Sequence, residues 1–255
     1  MLHKKMILTI ARREFRSMFL SPMAWVLLAV IQVILAWSFF TSIDVFFNIQ
    51  AELTTLKNAP GVTDLVASPL FEVASIVLLM IMPLLTMRLI SEEKRNKTMS
   101  LLLSAPVSIT EIVLGKYLGL LFFISTIVLL IVLMPLSLSM GTELDLSKLF
   151  SGAFGLFLML AAFGAAGLYM SSLTDNPMIA AISAFGLLLL LWMVNMNSAS
   201  VSGESSIFGY LSLHSHFTVL LRGILNTRDI AYFLLFIIGF VVLAIRQLET
   251  QRLQS

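Results

Sequence analysis

The sequence predicts an all-α polytopic membrane protein with six transmembrane helices, and three observations carry that expectation. Of 255 residues, 59% are hydrophobic and only 12% charged, with a mean hydropathy of +1.00. Soluble domains hold about 45–50% apolar and about 25% charged residues, so this chain has too few charges to coat a water-soluble globule. Six apolar runs approach the ~20 residues that a transmembrane helix needs. Basic residues are unevenly shared between the two sides that six spans define, twelve against four, as the positive-inside rule expects. The composition excludes a soluble enzyme, a disordered chain and a nucleic-acid-binding module. Cysteine is absent, which removes disulfides, thiolate metal sites and a cysteine nucleophile.

The first element precedes the spans. Over residues 3–20, Ile7, Ile10, Ala11, Phe15, Met18 and Phe19 fall on one side of a helical wheel. Thr9, Arg12, Arg13 and Arg16 fall on another. Basic residues opposite apolar ones describe a helix lying in the membrane interface. Ala36-Trp37-Ser38 loosely resembles a signal-peptidase site. The long structured stretch ahead of the first run argues against cleavage there.

The spans follow at Met23–Phe40, Leu70–Leu89, Leu118–Leu138, Leu149–Leu173, Met178–Met196 and Ile230–Ile245. At about 1.5 Å per residue the last run covers roughly 24 Å, short of the ~30 Å hydrocarbon core. Pro22, Pro69 and Pro177 stand at span starts, where a missing N–H costs nothing. Pro83 and Pro135 lie inside spans and predict kinks. Gly152, Gly155, Ala161, Ala162, Gly164, Ala165, Ala166 and Gly167 make the fourth span a close-packing surface. Gly115 and Gly119 add a GxxxG where the third begins.

Counting Lys and Arg orients the chain. Twelve of the sixteen basic residues lie in the N-terminal segment, between spans two and three, and after span six. Lys57, Lys148, Arg222 and Arg228 lie on the other side. Both termini are therefore expected in the cytoplasm. No connection is long enough for a soluble domain, so residues 1–255 read as one membrane domain.

Two connections do not read as plain loops. Residues 91–104 carry Glu92, Glu93, Lys94 and Arg95, then turn abruptly apolar at Leu101, Leu102 and Leu103 before Pro106. A charged end followed by a leucine patch suits a helix that docks in a partner's groove. In residues 198–229, Ile207–Leu213 and Phe217–Leu225 are apolar but too short to cross. They read as two half-helices dipping in from the outer face, which is tolerated where protein buries the backbone.

Chemistry is scarce. His3, His214 and His216 have no metal-ligand spacing and no G-x-S-x-G elbow occurs. Glu72 sits at an outer end and Asp44 beyond span one, so buried carboxylates for proton-coupled transport are lacking. Gly115-Lys116 ends like a phosphate-binding loop. Thr110 replaces its first glycine and Tyr117 its Ser/Thr. This chain has no ATP site by that route, and any energy must come from another subunit.

The stretch Glu92-Glu93-Lys94-Arg95-x-x-Thr98-x-x-Leu101-Leu102-Leu103-x-x-Pro106, followed by Glu111-Ile112-x-x-Gly115-Lys116, resembles ABC-2 type permeases. These are the membrane subunits of ATP-binding-cassette transporters, and the gliding-motility-associated branch is the most similar. Leu173-Thr174-Asp175-Asn176 adds to the likeness, as do His216-Phe217, Arg222-Gly223-Ile224-Leu225 and Arg228-Asp229-Ile230-x-Tyr232. Lys97 and Ser100 depart from the glycine and acid common in the family.

The resemblance implies a type V exporter-like fold in a bacterial inner membrane, with 91–104 as cytoplasmic coupling helix and 198–229 as outer re-entrant helices. It implies two ABC ATPase subunits carrying ATP and Mg, and a second permease, identical or related. No cofactor belongs to this chain. Glu92, Glu93, Lys94, Arg95, Thr98 and Leu101–Leu103 would couple to the ATPase, and Arg12, Arg13, Phe15 and Arg16 would belong to the interfacial helix. The implied function is export across the cytoplasmic membrane. The alternative is a non-transporting complex that transmits force to an envelope partner, with an outer-face auxiliary protein.

Overall fold

A computed structural model describes residues 2–53, 60–98, 108–200 and 212–254, and among them every regular element is helical. Helix α1 spans Leu2–Leu20 and α2 spans Pro22–Leu53. A π-helical turn, Thr63–Ala67, leads into α3 at Ser68–Thr86, and α4 covers Ser91–Arg95. Next come α5 at Ile109–Leu136, α6 at Leu146–Leu173 and α7 at Pro177–Ser200. Helices α8, Leu213–Leu221, and α9, Thr227–Gln254, complete the described chain.

Five segments are long and apolar enough to cross a membrane: Pro22–Gln50, Thr63–Arg95, Ile109–Met140, Leu146–Leu173 and Thr227–Arg252. The expected fifth span falls on α7, an apolar helix of 24 residues. Helix α6 is the hub, packed against α3, α5, α7, α8 and α9. Its apolar window is 83% buried, against 22% for α2 and for α9, which form the rim. The expected small-residue surface explains this position. A methyl group on Gly152, Gly155, Gly164 or Gly167 would collide with Phe71, Leu220, Leu120 or Thr86 respectively.

Several boundaries differ from expectation. Helix α2 continues past Phe40 and carries Asp44 in its body, and the Thr41 and Ser42 hydroxyls find partners in the Trp37 and Ser38 carbonyls. Polar residues satisfied by the preceding turn need not end a helix. Helix α5 starts nine residues before the expected span, at a capping box formed by Ser108 and Glu111. Pro83 does not break α3, which runs on to Thr86. Pro135 sits one residue from the end of α5, where a 3₁₀ turn follows. The last span is not short, since α9 adds a polar turn before Ile230 and more than two turns after Ile245.

Of the two expected half-helices, Phe217–Leu225 is replaced by α8. Ser212 caps α8 at Leu213, and the chain leaves it through Gly223 at φ 84°. That left-handed φ favours glycine and ends the helix before Ile224. Residues 207–211 of the other expected half-helix, Ile207–Leu213, lie outside the described residues.

Candidate functional site

Four elements distant in sequence meet at one end of the bundle: α1, α4, the start of α5 and the end of α6. Helix α1 lies along α5 on the Gly115/Gly119 track. A Cβ on Gly115 would stand 2.7 Å from the Ile10 side chain, and one on Gly119 would stand 2.7 Å from Glu14 Cβ. Only glycine lets the two backbones approach this closely. The apolar face expected on α1 is the packed one. Ala11 is buried, and Ile7, Ile10, Phe15, Met18 and Phe19 are half-buried. Phe15 and Phe19 meet Phe122 and Phe123 of α5 edge-on. Arg12, Arg13 and Arg16 are exposed.

Between the two glycines, Lys116 points into the α1–α4 seam. Its side chain is 2% exposed and its ammonium pairs with Glu14 and, at 2.8 Å, with Glu93. Arg13 reaches the same Glu93 oxygen at 3.3 Å. Two carboxylates around one buried ammonium, with a guanidinium at the rim, compensate the cost of removing these charges from water. The arrangement joins α1, α4 and α5 in one charge cluster.

The other side of α4 is held by the end of α6. The Ser171 hydroxyl accepts from the amides of Ile90 and Ser91, both at 3.1 Å, and donates to the Met87 carbonyl at 3.0 Å. It therefore satisfies amides at the start of α4 that have no partner within the helix. Lys94 donates to the Ser172 carbonyl at 2.5 Å and lies 3.9 Å from Asp175. The Glu92–Arg95 motif and the Thr174-Asp175-Asn176 turn, 80 residues apart, thus form one surface. Within that turn Asn176 Oδ1 accepts from the Met178 amide and starts α7.

The predicted coupling residues divide between two environments. Glu93 and Lys94 are anchored inside the chain, whereas Arg95 and Thr98 are exposed. Glu92 is half-buried and faces a cleft toward α1 and α2. Leu101, Leu102 and Leu103 lie outside the described residues. Sequence reasoning missed Glu14 and Ser171 and gave Lys116 no role. A signal was present for two of them. A lysine between close-approach glycines at the start of an apolar run needs a counter-charge. Glu14 is the only acid in residues 3–20.

The opposite end carries its own contacts. Lys148 pairs with Asp64, and the Asp145 amide donates to Thr63 Oγ1 at 3.0 Å. His216 Nδ1 lies 2.5 Å from Asp229 Oδ1, and its ring stacks on Tyr232 with centroids 4.2 Å apart. Three residues of the third resemblance motif therefore form one latch between α8 and α9. No group of His, Asp and Glu suited to a metal ion occurs among the described residues.

A family model described as ABC-2 family transporter protein matches residues 8–253, nearly the whole chain, and the chain belongs to that family. No curated protein matches it significantly.

Proposed function

With ABC-2 family membership as the premise, we propose that this chain is the membrane permease subunit of an export complex in a bacterial cytoplasmic membrane. Two separate ATPase subunits bind ATP and Mg and dock on residues 91–104. A second permease, identical or related, completes the complex. Helix α7 serves as the sixth span, and both termini face the cytoplasm.

The observation that carries this reading is the anchoring of α4. A surface loop would have no need of two buried cations, two carboxylates and an interhelical serine. A segment that receives a push from an ATPase does, because displacement of α4 must reach α1, α5 and α6 without slack. Lys116 carries it to α1 and α5, and Ser171 and Lys94 carry it to α6. Chains of packed side chains and charge networks of this kind can carry energetic coupling between distant elements. Arg95 and Thr98, which stay exposed, are the groups left to meet the ATPase, with Leu101–Leu103 supplying its apolar anchor.

Co-purification tests the docking. The ATPase encoded with this chain should be retained by the wild type and lost from a Leu102→Asp variant. Undiminished association would overturn the docking role of 91–104.

A further inference from the structure

Beside the charge cluster, a cleft of about 230 Å³ opens between α1, the start of α2 and the end of α3. Its lining is divided. Met18, Met23, Leu27 and Leu85 form an apolar wall, and Ser17, Ser21, Arg88 and Glu92 form a polar mouth. Glu14 also reaches the cleft, but Lys116 takes up its charge. Arg88 is exposed, Glu92 is half-buried, and neither has an ion pair or hydrogen-bonding side-chain partner among the described residues.

We infer that this cleft binds a phospholipid whose headgroup carries both a phosphate and a primary ammonium. The mouth offers one uncommitted cation and one uncommitted anion, so it is complementary to a zwitterion rather than to a net charge. Arg88 presents a planar fork suited to phosphate oxygens, and the Glu92 carboxylate accepts N–H bonds, which a primary ammonium headgroup donates and a quaternary ammonium or glycerol headgroup cannot. The Ser17 and Ser21 hydroxyls add uncharged hydrogen-bonding groups to the lining. Apolar side chains of α1, α2 and α3 line the cleft beside these polar groups and offer a surface on which an acyl chain can lie. A soluble ion would leave that wall unfilled. Many sites combine an apolar lining with a few polar groups that fix orientation, and this cleft is of that kind. The site does not depend on whether an ATPase docks at 91–104.

Native mass spectrometry of the full chain, released from nanodiscs of mixed phosphatidylethanolamine and phosphatidylglycerol, tests this inference. One phosphatidylethanolamine should remain per chain, at least about tenfold over phosphatidylglycerol. Loss of a charge-assisted hydrogen bond is worth about a tenfold change, so Glu92→Gln and Arg88→Gln should each lower retention by about that factor. Ser17→Trp should close the mouth from its exposed side and abolish retention. Soluble O-phosphoethanolamine, which lacks acyl chains, should not displace the lipid. Equal retention of the two lipids, unchanged retention in both charge variants, or displacement by O-phosphoethanolamine would each overturn the assignment. Thermal unfolding of each variant near the wild-type temperature shows that the fold is intact, since Arg88 and Ser17 are exposed.

Discussion

Both ends of the bundle pair a lysine with carboxylates across helices, yet the two sites differ in how far water is excluded. Lys116 is 2% exposed between carboxylates at 13% and 16%, whereas Lys148 and Asp64 are 20% and 38% exposed. The difference arises from the backbone. Glycines at 115 and 119 bring α1 down onto α5 and seal the first lysine, while the second sits at a helix start with solvent around it. A charge sealed in this way must be paired, because the unpaired state costs several kcal/mol, and an exposed pair contributes little. The end proposed to receive ATPase motion is thus the one where loosening is costly.

Replacing the two lysines gives the largest expected contrast. Lys116→Met leaves Glu14 without a counter-ion and Glu93 with only the exposed Arg13 at the rim, and should lower stability by about 3–5 kcal/mol. Lys148→Met should cost less than ~1 kcal/mol. Thermal unfolding in detergent reads both, and equal losses would break the comparison.

The glycine track comes next. Gly115→Leu must drive α1 off α5 and should cost about 1–3 kcal/mol, as overpacking does. Gly239 in α9 has no neighbouring atom within 4 Å of a built Cβ. Gly239→Leu should therefore leave the unfolding temperature unchanged or slightly raised.

Two serines sharpen the contrast further. Ser171→Ala orphans two buried amides at α4 and should cost about 1–3 kcal/mol. At the opposite end Ser151 only donates to the Leu220 carbonyl at 2.8 Å. Ser151→Ala should cost about 1 kcal/mol. Hydrogen exchange at Ile90 and Ser91 should accelerate in the first variant and not in the second.

The smallest effect is one of pH and belongs to the opposite end. Burial holds the His214 imidazole below its usual pKa of 6.5, with the nearby Glu72 carboxylate partly opposing. Unfolded chains therefore take up this proton first. Stability from this group is full above about pH 6.5 and is lost as pH falls below it. His214→Gln should flatten the decline in unfolding temperature between pH 7.5 and 5.5 relative to wild type. Identical declines would remove His214 as a source.

Much of the fold was legible because apolar length and period are local properties. The α1 register, the extent of α6 and the crowding at Gly115 and Gly119 all follow from residue type and spacing. Boundaries failed where a side chain satisfied the backbone unexpectedly. Thr41 and Ser42 did not end α2, since their hydroxyls bond the preceding turn, Ser108 and Glu111 began α5 early, and Gly223 ended α8 before the apolar run did. The candidate site was half legible. Glu93 and Lys94 stood out as charges beside an apolar run, but their partners were hidden.

By itself the sequence determined an apolar helical chain whose few charged residues cluster in short segments between apolar runs. Those conclusions rest on transfer free energy and on charge, which add up residue by residue. Tertiary structure alone decided that Glu14, Lys116 and Glu93, up to 102 positions apart, share one sealed site, and that Ser171 holds the start of α4. Pairing of that kind depends on how closely two backbones can approach. It exists only once α1 has settled on the glycines of α5 and α6 has taken the centre of the bundle.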